Sequence, residues 1–434
     1  MFVGCNIKLS GFSEMKVILL VNMKVAIIGG GAAGFFAAIS VAEHHPHASV
    51  TLFEKSTKLL SKVKVSGGGR CNVTNGCTDI KKLAKAYPRG GNNLRKAFGV
   101  FSTAETMHWF ESRGVPLVVQ DDGCVFPVSQ DSQTIIDCLT REARRLNVKV
   151  YTGMGASGLQ LTGPSIKIHF SKSEHKSQTF DKVVVATGGS PKLSGLHWLQ
   201  EVGHLIQDPV PSLFTFNMPS ENVTELMGIV VEHTLTNVQG TKLKSDGPLL
   251  ITHWGMSGPS ILKLSAYGAR VLSEMNYQCT LQVNWVNEPN VEVVRSKLLS
   301  LVEEYGGKNS GNIRPYFLPV RLWQYLLDKC SIAQDTKWQQ IGKKGINKLT
   351  AILTNDTYAV SGKTTFKEEF VTCGGVSLSS IDFKTMQSKS CPGVYFAGEV
   401  MDVDGITGGY NFQSAWTTGY IAGKLEGNSK GTKD

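Results

Sequence analysis

Gly29, Gly31 and Gly34 stand at G-x-G-x-x-G spacing, between the apolar run Lys24-Val25-Ala26-Ile27-Ile28 and the helix-forming stretch Phe35 to Ala42. This pattern is built for phosphate. The first glycine permits a tight turn, the second lets backbone reach a pyrophosphate, and the third lets helix and strand pack closely. A helix opening at Ala32 and Ala33 would turn its unpaired N–H groups and positive dipole end toward the anion. Glu54 follows a second strand, Ser49 to Phe53, and its carboxylate suits the two hydroxyls of an adenosine ribose. Lys55 adjoins it and is counted with the site.

Gly153-Met154-Gly155-Ala156-Ser157-Gly158 has the same glycine spacing. The next residues, Leu159 to Leu161 and Ile166 to Phe170, alternate like strand and offer no helix, so the phosphate argument fails there. The segment reads as a connection into a small β-meander. One dinucleotide fold is expected, and a nicotinamide cofactor would have to bind without its own.

Three further segments carry chemistry suited to a flavin. Ser66-Gly67-Gly68-Gly69-Arg70-Cys71-Asn72, preceded by Lys62 and Lys64, forms a backbone-lined concavity with a guanidinium for pyrophosphate or flavin oxygens. Its candidate contacts are Lys62, Ser66, Gly67, Gly69, Arg70, Cys71 and Asn72. The run Val183 to Gly189 is an apolar strand ending at Thr187 and Gly188. Near the C-terminus come Gly398 and Glu399, then Asp402, then Gly405 to Asn411, with Gly408, Gly409, Tyr410 and Asn411 as candidates. An acid at a strand end suits ribitol hydroxyls, and the glycines admit backbone N–H groups to the N1–O2 edge of an isoalloxazine. A helix beginning near Asn411 would stabilise the anionic reduced ring. FAD is therefore the expected cofactor. The C-terminal segment must rejoin the first domain to complete its site, so the middle of the chain is an insertion.

The stretches SGGGRCN (66–72), TCGGV (372–376) and GEVMDVDGITGGYNFQ (398–413), with THWGMSGP (252–259) between them, resemble the BaiN/RdsA-type NAD(P)/FAD-dependent oxidoreductases. Some members of that bacterial family are labelled aminoacetone oxidases. The resemblance runs from Met23 to about Gly423. It implies a glutathione-reductase-like FAD domain interrupted by a β-rich lobe with a helical appendage. The chain departs from the family pattern at two places. It reads Ser194-Gly195-Leu196-His197-Trp198 where many relatives have a Gly/Ser/Thr-rich stretch with an acid, and it has Cys124 where many have arginine.

The elements that must position these residues can be read from length and pattern. At 434 residues the chain is too long for one ordinary core. The expected class is α/β, a Rossmann-like FAD-binding domain at 23–190 and 371–434. It is interrupted by a barrel-like β-rich lobe at 191–290 and 356–370 and by a helical subdomain at 291–355. Residues 1–22 read as a flexible arm, or as an upstream start with Met23 the functional one. Leu213 to Met218, Gly228 to Val238, Leu249 to His253 and Cys279 to Val286 read as strands. Val294, Leu298 and Leu301 have helical spacing, with Asn290 as N-cap, and Arg321 to Leu327 and Lys344 to Leu353 continue the helical pattern.

Lys and Arg exceed Asp and Glu by ten, 45 against 35, which favours anionic ligands. The cations at Arg295, Lys297, Lys308, Arg314, Arg321, Lys329, Lys337, Lys343, Lys344 and Lys348 read as a solvated helical face rather than a nucleic-acid surface. An odd count of nine cysteines without a CxxC pair points to free thiols in a reducing cytoplasm. No spacing suggests a metal site, and no segment has the length of a membrane span.

The expected chemistry is hydride transfer through flavin N5, with NADH or NADPH as donor and an unsaturated or carbonyl-conjugated small molecule as acceptor. Arg70, Tyr410 and Asn411 are expected beside the ring; no acid or base is assigned. Cys71 and Cys373 could be redox thiols or packing groups, and His253, Trp254 and Met256 could line a pocket or pack a turn. The alternatives are a flavin oxidase of a small amine or ketone using O₂, an FAD-dependent nucleic-acid-binding or tRNA-modifying protein, and a redox-silent FAD scaffold.

Overall fold

The computed structural model describes residues 22–364 and 371–426. The arm expected at 1–22 lies outside them except for Asn22, as do the ends of two expected segments, 365–370 and 427–434.

A β-branched run without a polar face is stable only when covered on both sides. Lys24–Ile28 accordingly sits mid-sheet, parallel to Ser49–Glu54 on one side and Lys182–Val185 on the other. Lys149–Thr152 and Val394–Phe396 extend the parallel array outward, and the short antiparallel strands Ile381–Asp382 and Gln387–Ser388 complete seven strands. Register does the positioning. Ile28 pairs with Phe53 and with Val185, and Val185 pairs with Phe396, so Gly29, Glu54, Ala186 and Ala397 all emerge at one carboxyl edge. Ligands of open α/β sheets bind at that edge. The Gly153–Gly158 segment leads into the meander Ala156–Thr162, Ser165–Phe170 and Gln178–Phe180, with no helix after its glycines.

The inserted sheet runs Asp356–Ser361, Gln278–Asn284, Val230–Val238, Lys244–Thr252, Gly255–Ser257, Thr215–Asn217 and Lys363–Thr364. Its two outermost strands are neighbours in sequence, separated only by Gly362, whose carbonyl accepts from the Asn217 N–H at 2.9 Å. The sheet therefore closes on itself and leaves no long free edge. Helices Pro259–Tyr267 and Ala269–Glu274, not read from the sequence, cover it; the first opens with Pro259, where proline is favoured because its N–H would be unpaired anyway. Asn290 caps Val291–Tyr305 through the Glu292 N–H at 3.1 Å, and Val320–Lys329 and Gly342–Asn355 pack beside it. Buried Asp356 fastens these helices to the barrel by accepting from Lys329 Nζ at 2.5 Å, from Trp285 Nε1 at 3.0 Å and from the Tyr358 hydroxyl.

Two hydrophobic cores result. Leu196 and Trp198, from the stretch that departs from the family pattern, join the first core, as does Leu199. Val202 and Ile206 pack against the same core. Among the described residues no helix is long and apolar enough to cross a membrane.

His204 ties the exit of the first core to the strand Gln387–Ser388. Its Nδ1 meets the Leu199 carbonyl at 3.0 Å and its Nε2 meets Ser388 Oγ at 2.7 Å, a pattern that the neutral ring satisfies. Burial lowers its pKa below the ordinary value of 6.5. A depressed folded-state value means stability is full above about pH 6.5 and falls as pH drops through the folded value. Urea titrations from neutral to mildly acidic pH should show this loss in the wild type and a shallower one in His204→Asn; equal slopes would disprove it.

Candidate cofactor cleft

A cleft of about 680 Å³ opens at the carboxyl edge of the parallel sheet and extends to the barrel. Two helices start at it. Ala32–His44 is preceded by Gly31, and Tyr410–Gly423 by Gly409; neither N-cap supplies a side-chain hydrogen bond, so the first-turn N–H groups face the cleft uncapped. Each such terminus favours an anion by about 0.3–2 kcal/mol depending on burial.

Their alignment depends on close contact between the two helices. A Cβ on Gly419 would lie 2.8 Å from the Ala33 carbonyl oxygen, and one on Gly423 would lie 2.4 Å from the Ser40 Cβ. Ser40 Oγ also donates to the Tyr420 carbonyl at 2.7 Å. With Gly419 beside Ala33, nine helical residues at 1.5 Å rise put the second N-terminus about 13 Å further along the axis. The cleft thus has two positive foci, offset from each other.

The glycine loop is forced by sterics. Gly29 has φ +117°, and a Cβ there would lie 2.3 Å from the Ala186 carbonyl oxygen. Gly34 lies beneath the loop, where a Cβ would meet the Gly29 carbonyl oxygen at 1.9 Å. Gly31 differs: a Cβ there meets nothing within 4 Å, because it would project into the cleft. Glu54 holds the loop by accepting from the Gly30 N–H at 2.7 Å and the Ser56 N–H at 2.8 Å. Across the cleft Glu399 accepts from Lys62 Nζ at 2.7 Å and from the Thr372 N–H at 2.8 Å. Asn411 fixes the turn before its own helix, accepting from the Gly405 N–H at 2.8 Å and donating to the Gly405 carbonyl at 3.0 Å.

Of the residues singled out by sequence, Gly29, Gly31, Ala32, Ala33, Glu54, Lys55, Lys62, Ser66, Gly67, Asn72, Thr187, Gly188, Gly398, Glu399, Gly408, Gly409 and Asn411 line this one cleft. Six do not. Gly34 packs under the loop, and Gly69 lies in the positive-φ run of the 66–69 turn. Arg70, expected beside the ring, donates instead to the Gly67 carbonyl at 3.1 Å and to Gln130 Oε1 at 3.3 Å, with its guanidinium 4.1 Å from the Phe126 ring centre. It shapes the glycine turn from behind. The Cys71 thiol is fully buried, and burial pushes it up to about 12, which leaves it a neutral packing group. Tyr410, also expected beside the ring, turns toward Tyr87, ring centres 6.0 Å apart; burial raises its hydroxyl to about 12. Asp402 pairs with Arg270 at 2.8 Å instead of facing the cleft. His253, Trp254 and Met256 do not line it either: Met256 is core, and Trp254 Nε1 donates to Thr215 Oγ1 at 3.0 Å. Cys124 is partly buried near Asn72 and Asp122, its thiol raised to about 11 by burial and then by Asp122.

Sequence reasoning missed two groups. Leu213, Thr215, Ser257, Leu262, Thr364 and Val371 form the barrel-side wall. Leu213 and Thr215 share one short stretch, Leu262 belongs to the helix Pro259–Tyr267 and the others to three further strands, so no single local pattern announces them. The other group is an ionic junction. Arg89 pairs with buried Asp404, donates to the Ala266 carbonyl at 2.5 Å and meets Ser212 Oγ at 3.3 Å, while Ser212 Oγ donates to Asp404 at 2.6 Å. Asp404 directly precedes the 405–411 turn, so this junction fastens the inserted lobe to the cleft's second focus.

A Rossmann-type nucleotide fold completed by a returning C-terminal helix, with a large inserted lobe over the cleft, defines an FAD-binding oxidoreductase. The chain matches the HI0933-like protein Rossmann domain over residues 23–425 and belongs to that family, the one its motifs resemble. It is 27% identical over 409 residues to the 3-dehydro-bile acid delta(4,6)-reductase of Clostridium scindens, covering 92% of this chain and 98% of that one. It is 28% identical over 405 residues to the ribosomal RNA dihydrouridine synthase of Haemophilus influenzae, covering 91% and 96%. Among solved structures, Escherichia coli quinol fumarate reductase FrdA matches in fold with TM-score 0.50 and 14% identity, over 93% of this chain and 69% of that one.

The residues present fit FAD. Two uncapped helix N-termini at one cleft and the open space before Gly31 provide for a long ligand with an anionic middle and a polar ring. Gly31→Val should therefore fold normally by circular dichroism as apoprotein yet bind FAD at least 100-fold more weakly, about 2.7 kcal/mol. Retention of wild-type FAD affinity would show that the cleft is not the cofactor site.

Proposed function

We propose that this flavoprotein reduces a carbon–carbon double bond conjugated to a carbonyl, with NADH or NADPH as the electron source and FAD in the 680 Å³ cleft. The residues that line the cleft would hold the cofactor: the 29–34 loop and Glu54 its adenosine diphosphate half, and Glu399 with the 405–411 turn its ribitol and ring. When bound, FAD supplies two-electron hydride chemistry.

The names of the two relatives describe reduction of the same bond type in different molecules. One is the dienone of a 3-dehydro-bile acid, the other the uracil ring of uridine within RNA. In both, an electron-poor alkene adjoins a carbonyl. Reduction adds a hydride to the far carbon and a proton to the near one.

The observation that carries the reading to this chain is the composition of the barrel-side wall. Leu213, Leu262 and Val371 offer apolar contact for a ring and exclude water. Thr215 and Thr364 have committed their hydroxyl protons, to the Thr364 carbonyl at 3.3 Å and to Asn217 Oδ1 at 2.9 Å. Ser257 also lines the cleft, and its hydroxyl has no hydrogen-bond partner among the described residues. It is the group free to donate to a substrate carbonyl, polarising the double bond while the apolar wall orients it.

Anaerobic NADH or NADPH should bleach the visible flavin spectrum, and a conjugated enone should restore it while an isolated alkene does not. Bleaching only by small amines or ketones, with recovery only by O₂, would replace this reading with an oxidase. Ser257→Ala should keep full FAD content and lose roughly tenfold in kcat/KM, about 1.4 kcal/mol for one hydrogen bond.

A further inference from the structure

A second concavity, of about 440 Å³, is not used by the cofactor cleft or its substrate wall. Lys81, Lys85, Arg95, Asn92 and Asn93 line it over a floor that includes Tyr87, and no carboxylate takes part. The side chains of Lys81, Lys85 and Arg95 form no ion pair or hydrogen bond among the described residues. The nearby Asp79 carboxylate accepts from the Lys81 and Lys82 N–H groups at 2.8 and 3.2 Å as a helix cap and does not line the cleft.

The cations of the helical segment behave differently. Lys329 pairs with Asp356, Arg295 with Glu292, Arg314 donates to the Leu318 carbonyl, Arg321 to the Glu225 carbonyl and Lys348 to the Cys330 carbonyl. Part of the positive surplus there is already spent within the protein. At the second cleft three cations and two amides share one lining that holds no carboxylate, Asp79 acting on Lys81 from outside it, so an anionic ligand is what the arrangement is complementary to.

We infer that this cleft binds phosphate, either the diester backbone of an RNA or the pyrophosphate of a nicotinamide dinucleotide. The lining has no exposed aromatic ring on which a base could stack, since Tyr87 is buried. It therefore grips the charged part of its ligand and leaves the ring or base to reach elsewhere. Its placement is apt: the Tyr87 hydroxyl donates to the Tyr410 carbonyl at 2.6 Å, so the occupied cleft would sit one side chain from the 405–411 turn.

The test is the triple variant K81Q/K85Q/R95Q of the FAD-loaded protein. All three positions are exposed, so circular dichroism and flavin absorbance should match the wild type. Binding of NADPH and of a uridine-containing RNA hairpin is measured across a salt series, with inorganic pyrophosphate as competitor. At least a tenfold loss should appear for one probe, with the log–log salt slope reduced by about 2 for an RNA that used all three cations. Loss for NADPH alone assigns the cleft to the electron donor, and loss for RNA alone assigns it to the substrate. Wild-type binding of both probes, with unaltered salt slopes and no competition by pyrophosphate, would overturn the site.

Discussion

The close contact between helices 32–44 and 410–423 is the constraint on which the rest of this structure depends. Gly419 and Gly423 leave no room for a side chain against Ala33 and Ser40, so the two backbones touch. Any larger residue would push the axes apart and separate the two helix N-termini that open on the cleft. Those termini are offset from each other, which lets a single extended dianionic cofactor meet a positive focus at each of two places. The parallel sheet supplies the platform, because register brings the ends of four strands to the same edge.

The insertion contributes one wall of the cleft from outside the nucleotide fold. A closed barrel has no long edge to pair with neighbours and forms its own core, so it can change its wall residues without disturbing the nucleotide fold. It must still be held in register with the cleft. Arg89, Asp404 and Ser212 do this with a desolvated junction, where truncating one partner would leave a buried charge unpaired. Arg270 and Asp402 add a second pair nearby. Because Asp402 and Asp404 lead directly into the 405–411 turn, the orientation of the lobe and the shape of the turn are mechanically linked.

Charge is distributed with the same economy. Lys62 neutralises Glu399 within the cleft, and Asp356 absorbs Lys329 where helices meet barrel. The side chains of Lys81, Lys85 and Arg95, by contrast, form no ion pair among the described residues.

The sequence alone determined the nucleotide loop, the acid that ends the second strand, the glycine turn at 405–411 and the helical pattern from Asn290 to Leu301, from Arg321 to Leu327 and from Lys344 to Leu353. Each rests on short-range physics: a φ only glycine tolerates, an apolar period, or a cap one or two residues from its N–H. Tertiary structure decided what side chains do once distant segments meet. Arg70 was drawn away from the cleft by Phe126 and Gln130, Asp402 by Arg270, and Tyr410 by Tyr87, none of which is a neighbour in sequence. Leu196, Trp198 and Leu199, with Val202 and Ile206 beyond them, find partners in the first core. Ser257 and the rest of the barrel-side wall come from segments far apart in sequence. A side chain's direction is set by competition among contacts from the whole fold, and that competition leaves no trace in local spacing.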